Sequence, residues 1–373
     1  MAETRGQIFD LSSIRIPDSF PERRGLPQGV QVADEAQLIG YDDTTLIYDC
    51  FYSHDRRTLV AYLPKMLNFA PILESAAFRI DGRRETPKIT RTRLFDRLTF
   101  PAATVPQCLE IQLGDTTLSC QVASEMSELF AGQNCLYSIQ KDQELTWIRD
   151  WAEFHVQEQG ATAVLLCDNA STRYRPSDVL NTLGRVTGLK TIAVVNVPFS
   201  WGPAKGISKR HGRTKFLQVA MMNAMRDRFL RKARAVLNCD VDELFFRRGL
   251  ANCFDQAAGP IGFVAMNGAW RFAASTGQPV RHADHWMESP NPPSCAPKYC
   301  AAPAHGLGRL TWGIHGLEPI SRRLVPVSKK FQMIHCRNIS NSWKVDRTSS
   351  GTTDLTADEG LRRKLHTIFT AQS

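Results

Sequence analysis

Two nearly uninterrupted apolar runs, each closed by an acidic residue, constrain this chain most. Ala163-Val164-Leu165-Leu166-Cys167 ends in Asp168, and Ala235-Val236-Leu237-Asn238-Cys239 ends in Asp240. Short apolar runs between polar segments read as strands buried on both faces. A third such run covers Thr191 to Val197, and Ile261 to Met266 reads as a fourth. The intervening segments have helical spacing. Leu145, Ile148, Trp151, Ala152 and His155 recur at three to four residues, with Asp142 as a candidate N-cap and Gly160 as a stop. Further helices are expected over 177–186, directly after Pro176, and over 214–232. Strands alternating with helices imply βαβ units and a parallel or mixed sheet covered on both faces. Ligands of such sheets lie outside the carboxyl ends of the strands, where both acidic residues fall.

The chain has 373 residues. At roughly 150 residues per domain this allows about two or three domains. Residues 1–35 read as a loose leader with Pro17, Pro21 and Pro27. Residues 36–135 read as a small β-rich accessory domain. Short apolar stretches there, such as Thr58–Leu63 and Leu109–Leu113, are separated by turn signals at Asp81-Gly82 and Gly114-Asp115. Residues 136–342 carry the α/β pattern. Residues 343–373 form a polar tail with one expected short helix over 358–369.

Hydrophobic residues make up 43% of the chain and charged residues 22%, which excludes a wholly disordered or fibrous protein. The net charge of +9 favours polyanionic partners without choosing among phosphates, nucleic acid and anionic lipid. Ten cysteines are dispersed with no CxxC pair, which suits reduced core thiols of a cytoplasmic protein better than a disulfide framework. No secretory leader pattern opens the chain. No run approaches the roughly 18 apolar residues of a membrane span, so a membrane contact would be peripheral, on the inner face.

The sharpest chemical feature is Asp240-Val241-Asp242-Glu243. If the segment is extended, alternate residues point the same way, and Asp240 and Asp242 present two carboxylates to one side. Two hard oxygen ligands at a strand end suit Mg²⁺ or Mn²⁺ that is also held by a substrate diphosphate. The plainer alternative is a solvated acidic turn. Asp168-Asn169-Ala170-Ser171 can hydrogen-bond a base and ribose, or can be an Asx or Ser turn leading to the next helix. Lys298, His315, His335 and Arg337 follow in segments without helical periodicity; a lone histidine is more often a surface or core residue than a ligand. The basic stretch from Lys205 to Lys215 could line a phosphate site, touch acidic lipid heads or be a solvated loop. Arg226, Arg228, Arg231, Lys232 and Arg234 read as an exposed helix face and its C-terminal turn.

The succession Trp151…His155, Asp168-Asn169-Ala170-Ser171, Gln218, Asp240-Val241-Asp242-Glu243-Leu244, Lys298-Tyr299, Gly313-Ile314-His315 and Ile334-His335-Cys336-Arg337 resembles glycosyltransferase family 92 and related family-2-like bacterial transferases. The resemblance covers about residues 138–340. Cys336 and the pair Ala301-Ala302 depart from the family's usual residues, as does Arg173 after the Asp-Asn-x-Ser block. The family implies a GT-A-type Rossmann-like mixed sheet flanked by helices, here preceded by a small β-rich accessory domain. It also implies a nucleotide-diphosphate sugar donor and a divalent cation, Mn²⁺ or Mg²⁺. By position, Asp168, Asn169, Ser171 and Gln218 would lie by the nucleotide and Lys298 by the donor phosphate. Asp240 and Asp242 would hold the metal, and His315 or His335 could complete its site.

The function expected is sugar transfer to a hydroxyl of a glycan or lipid-linked acceptor, with inversion. An inverting reaction needs a carboxylate to take the acceptor's proton. Asp284 and Glu288 are candidates, as is Glu243, which could instead brace the metal ligands. One alternative is a metal-dependent nucleotidyltransferase or phosphatase. Another is a non-catalytic basic protein that binds anionic glycan or nucleic acid. The interleaving of basic and aromatic residues expected of a single-strand binder is missing, so nucleic acid is not the expected partner.

Overall fold

The computed structural model describes residues 5–30, 35–202, 214–274, 280–321, 325, 327–339 and 354–370. The chain divides into two compact units, each built from more than one stretch. One comprises Met1–Phe9, Glu128–Asn196 and Leu230–Ser373; the other comprises Asp10–Ser127 and Val197–Phe229.

In chain order the strands of the two larger sheets of the first unit are β1 (Arg5–Phe9), β2 (Asn134–Gln140), β3 (Ala163–Asp168), β4 (Thr191–Asn196), β5 (Ala235–Asn238), β6 (Glu243–Arg247), β7 (Phe263–Met266), β8 (Gly268–Arg271), β9 (Lys298–Ala301) and β10 (Phe331–Cys336). Its longer helices are α1 (Leu145–Gln159), α2 (Pro176–Gly184) and α3 (Glu359–Thr370). The main sheet runs β1-β4-β3-β2-β5-β9-β7. The pairings from β1 to β5 are parallel, whereas β9 is antiparallel to both β5 and β7. This is the mixed α/β architecture that the sequence pattern implies. Every residue of β3 is buried, and so is every residue of β4 except Asn196, which explains their continuous apolar character. A second sheet, β6-β10-β8, continues from the acidic turn.

The apolar stripe of α1 packs into the core with Trp147, Ile148, Trp151 and Phe154, together with Val164 and Leu166 of β3. Trp151 is fully buried. Trp151→Ala should cost about 3–5 kcal/mol, read as a lower urea midpoint. The tail helix α3 adds Leu361 and Leu365 to the same core, as the expected helix over 358–369 requires.

Four sequence expectations need correction. The first concerns the leader: Arg5–Phe9 is the edge strand of the main sheet, paired in parallel with β4. Backbone hydrogen bonding to the free edge of β4 holds it, and such bonding leaves no side-chain periodicity to read. The second concerns the start of α1. The N-cap is Glu144; Asp142 has φ 51° and accepts hydrogen bonds from the Thr172 and Arg173 amides. The third is the strand at 261–266, which begins at Phe263. Gly262 before it has φ 72°, and a Cβ there would lie 2.2 Å from the His305 carbonyl oxygen. The fourth is the basic helix face. Arg226 and Arg228 are buried in ion pairs with Asp227 and Asp49, because those buried carboxylates need counter-charges.

The second unit holds the β-rich part. A four-stranded and a five-stranded sheet enclose a core that includes Leu59, Phe78, Phe100 and Ile111. Its turns use Asp81-Gly82 and Gly114, all with positive φ. The segment Val197–Phe229 joins this unit, so the boundary expected near residue 135 is crossed a second time. It carries helix Phe216–Met225, followed by a π-turn over Arg226–Leu230. Residues 205–213 of the basic stretch lie outside the described residues. None of the ten cysteines forms a disulfide, and eight of them are buried. Among the described residues no helix is long and apolar enough to cross a membrane.

Candidate metal and donor site

β5 runs beside β2 through the middle of the main sheet and delivers its last residues to the carboxyl end. The chain then folds back within four residues. The Glu243 amide donates to the Asp240 carbonyl at 3.0 Å, and the Glu243 carboxylate accepts from the Asp240 amide at 2.8 Å. Asp240-Val241-Asp242-Glu243 is therefore a closed turn between β5 and β6, and the alternation argument for two parallel carboxylates does not hold.

The turn sends its acids to different partners. Lys298, at the start of β9, places Nζ 2.9 Å from Asp240 Oδ2 and 3.1 Å from Glu243 Oε2. Asp242 Oδ2 lies 2.9 Å from His335 Nε2. Strand register produces the second grouping: Glu243 stands opposite His335 across β6 and β10, and Trp270 stands opposite His335 across β8 and β10. The indole stacks on the imidazole at 3.9 Å. On the other ring nitrogen, Nδ1, His335 meets Cys295 Sγ at 3.7 Å.

Electrostatics follow from these contacts. Burial opposes charge on Lys298, but Asp240 and Glu243 outweigh it and hold the ammonium well above the ordinary lysine range. Burial likewise disfavours a charged His335, yet Asp242, Cys295 and Glu243 together raise it to about 10. Glu243 is pushed up, chiefly by burial.

Asp242, Glu243 and His335 each offer one ligand atom, all within 4.8 Å of one another. Two carboxylates and one imidazole are a donor set that Mn²⁺ accepts readily and Mg²⁺ tolerates. The residues present thus fit a divalent cation that displaces the proton His335 shares with Asp242, with Glu243 rather than Asp240 beside Asp242. Of the two histidines, His335 joins this group. His315 caps the hairpin of Thr311–Gly313 and Gly316–Glu318, with Nδ1 bonded to the Pro297 carbonyl.

Asp168 ends β3, with β2 between it and β5, so it and Asp240 share one end of the sheet about 10 Å apart across two strand spacings. It is buried, and that burial raises its pKa. Its oxygens accept from the Ser171 hydroxyl, the Ser171 amide and the Gln140 side-chain amide. Ser171 Oγ in turn accepts from the Asp142 amide. The turn reading of this block accounts for these bonds. Asn169, also buried, hangs from the Gln140 carbonyl through its amide. Gln218 is half-buried on helix Phe216–Met225 of the second unit; every other predicted site residue belongs to the first.

The three candidate bases have separate surroundings. Glu243 is committed to Lys298 and the Asp240 amide. Glu288 pairs with Arg271 at 3.1 Å. Asp284 accepts the Arg281 amide through Oδ2 and lines a cavity of about 600 Å³ with Arg149, Asp150, Arg281 and Trp286. His155 of the Trp151…His155 pair is a core residue. Nδ1 donates to the Trp151 carbonyl, Nε2 accepts the Phe245 amide, and burial lowers its pKa to about 3. Trp270 and Cys295 escaped the sequence reading, since nothing in their local sequence marks contact with a histidine that is 40 or more residues away.

No family model and no curated protein matches the chain. Among solved structures, TarS of S. aureus aligns at 16% identity over 39% of this chain and 23% of its own, with a TM-score of 0.23. A chain from Desulfovibrio desulfuricans G20 described as a nucleotide-diphospho-sugar transferase aligns at 12% identity over 37% of this chain and 59% of its own, with a TM-score of 0.22.

Proposed function

We propose that this protein is a GT-A-type glycosyltransferase that moves a sugar from a nucleotide-diphosphate donor to a hydroxyl of a glycan or lipid-linked acceptor, with inversion. The observation that carries the proposal is the Asp242–Glu243–His335 group at the carboxyl end of the mixed sheet, on the same end as Asp168. A divalent cation held there would supply positive charge against the departing diphosphate. Asp242 and His335 would hold it. Glu243 fixes the turn as well as offering an oxygen, and its burial and commitment to Lys298 make it a brace and a poor base. Lys298 is buried between Asp240 and Glu243, whose charge it balances, so its part is to hold the turn that offers Asp242 to a cation and not to face the donor phosphates. Asp168, Asn169 and Ser171 would set the floor beneath the nucleotide.

Asp284 is the favoured base. Glu243 and Glu288 are committed to Lys298 and Arg271, whereas Asp284, with one oxygen on the Arg281 amide, lines a cavity large enough for a sugar and would take the acceptor's proton if that cavity receives the acceptor. We place the protein in the cytoplasm, with any membrane contact peripheral. A nucleotidyltransferase or phosphatase could use the same acids, and the products distinguish them: a glycosylated acceptor and nucleoside diphosphate, against released phosphate or transferred nucleotide.

The test is a thermal-shift panel of nucleotide sugars with and without Mn²⁺. The true donor at about 100 times its Kd should add about 2.7 kcal/mol of stability, and only with the metal. His335→Gln should lose the Mn²⁺-dependent shift, while His315→Gln keeps it. No shift with any donor, or a wild-type shift in His335→Gln, rejects the assignment.

A further inference from the structure

The acidic turn has three peptide carbonyls, and each is held differently. Asp240 O accepts the Glu243 amide within the turn. Asp242 O accepts the Cys336 amide from β10 at 2.8 Å. Val241 O, between the two aspartates, accepts Nε2 of His282 at 2.8 Å. Only this third support comes from a side chain. His282 is wholly buried, and a carbonyl can only accept, so Nε2 carries the proton. Behind the ring, Nδ1 faces Asp150 Oδ2 at 3.8 Å. Asp150, buried on α1, is clamped through both oxygens by the Arg281 guanidinium. Phe369 of α3 stacks against the imidazole at 6.5 Å. The imidazole thus has one orientation, set from two sides, and it fixes the Val241–Asp242 peptide plane from which Asp242 departs.

We propose that His282, backed by Asp150 and Arg281, is a positioning residue for the metal turn: its Nε2–H bond to the Val241 carbonyl sets the direction of Asp242 toward His335. The proposal rests on reading this turn as the cation site. Groups that orient metal ligands typically change metal affinity by about 10–100-fold when removed.

The experiment compares His282→Leu, His282→Gln and His282→Asn by Mn²⁺ affinity and by hydrogen exchange of the turn amides. Leu removes the donor. Gln places an amide N–H near the position of Nε2, whereas Asn places one near Nδ1. The expected result is weakening of Mn²⁺ binding by about tenfold and faster exchange at Glu243 and Cys336 for Leu and Asn, with Gln close to wild type. A residue that merely fills space would treat Gln and Asn alike. Equal exchange and equal Mn²⁺ affinity in Gln and Asn would overturn the proposal, and this pair decides even where Leu fails to fold. If the wild type binds no Mn²⁺, the metal reading falls, while the exchange pattern still decides whether His282 positions the turn.

Discussion

Asp242→Asn should abolish Mn²⁺-dependent sugar transfer, lowering kcat by about 10²–10³-fold, the scale of losing one preorganised electrostatic partner at a reacting centre. Asp240→Asn should be milder and should keep a Mn²⁺-dependent thermal shift. The asymmetry follows from the geometry. Asp242 faces His335 within the only metal-capable group among the described residues, whereas Asp240 is engaged by Lys298. A bare pair of equivalent aspartates would give two equal losses. Transfer by Asp242→Asn at the wild-type rate would remove the cation from the mechanism.

Lys298→Met should destabilise the fold by about 3–5 kcal/mol, the usual consequence of leaving a buried charge without its partner. Here two carboxylates are stranded, and Glu243 is almost wholly inside the protein. Lys298→Met combined with Glu243→Gln should recover much of that loss, because the most deeply buried orphan charge is then gone. Urea denaturation of the two variants measures the difference. The sign with pH is fixed as well. The folded-state pKa of Lys298 is raised, so its contribution is complete below the ordinary lysine range and is lost only in strong alkali. The penalty in Lys298→Met should shrink as pH falls, because the stranded Glu243, already pushed up by burial, takes up a proton once the ammonium is gone. A double variant as unstable as the single one would show that Lys298 contributes by packing.

Much of this molecule is legible in its sequence because the signals are local. The buried strands at 163–168 and 191–196 are apolar along their whole length, since both faces of the sheet are covered. Gly160 stops α1 in the left-handed conformation that glycine adopts at little cost. Asp168 stands at the end of β3, where a βα unit releases its chain, and Asp240 and Asp242 stand past the end of β5, where the chain turns into β6. The leader strand, by contrast, pairs through backbone groups that every residue possesses. Arg226 and Arg228 read as surface because nothing nearby in sequence announces the buried carboxylates they serve.

The alternation of elements, the apolar core and the presence of acids and late histidines within one α/β region follow from local residue order. Tertiary structure decided which of them meet. His335, and not His315, reaches Asp242 because β10 pairs with β6 in a register that sets His335 opposite Glu243. Lys298 reaches Asp240 because β9 lies antiparallel beside β5. Those neighbours are separated by 58 to 93 residues. Helical and strand periodicities report only on residues a few positions apart, so contacts at that separation arise from strand register, which exists once the sheet has formed.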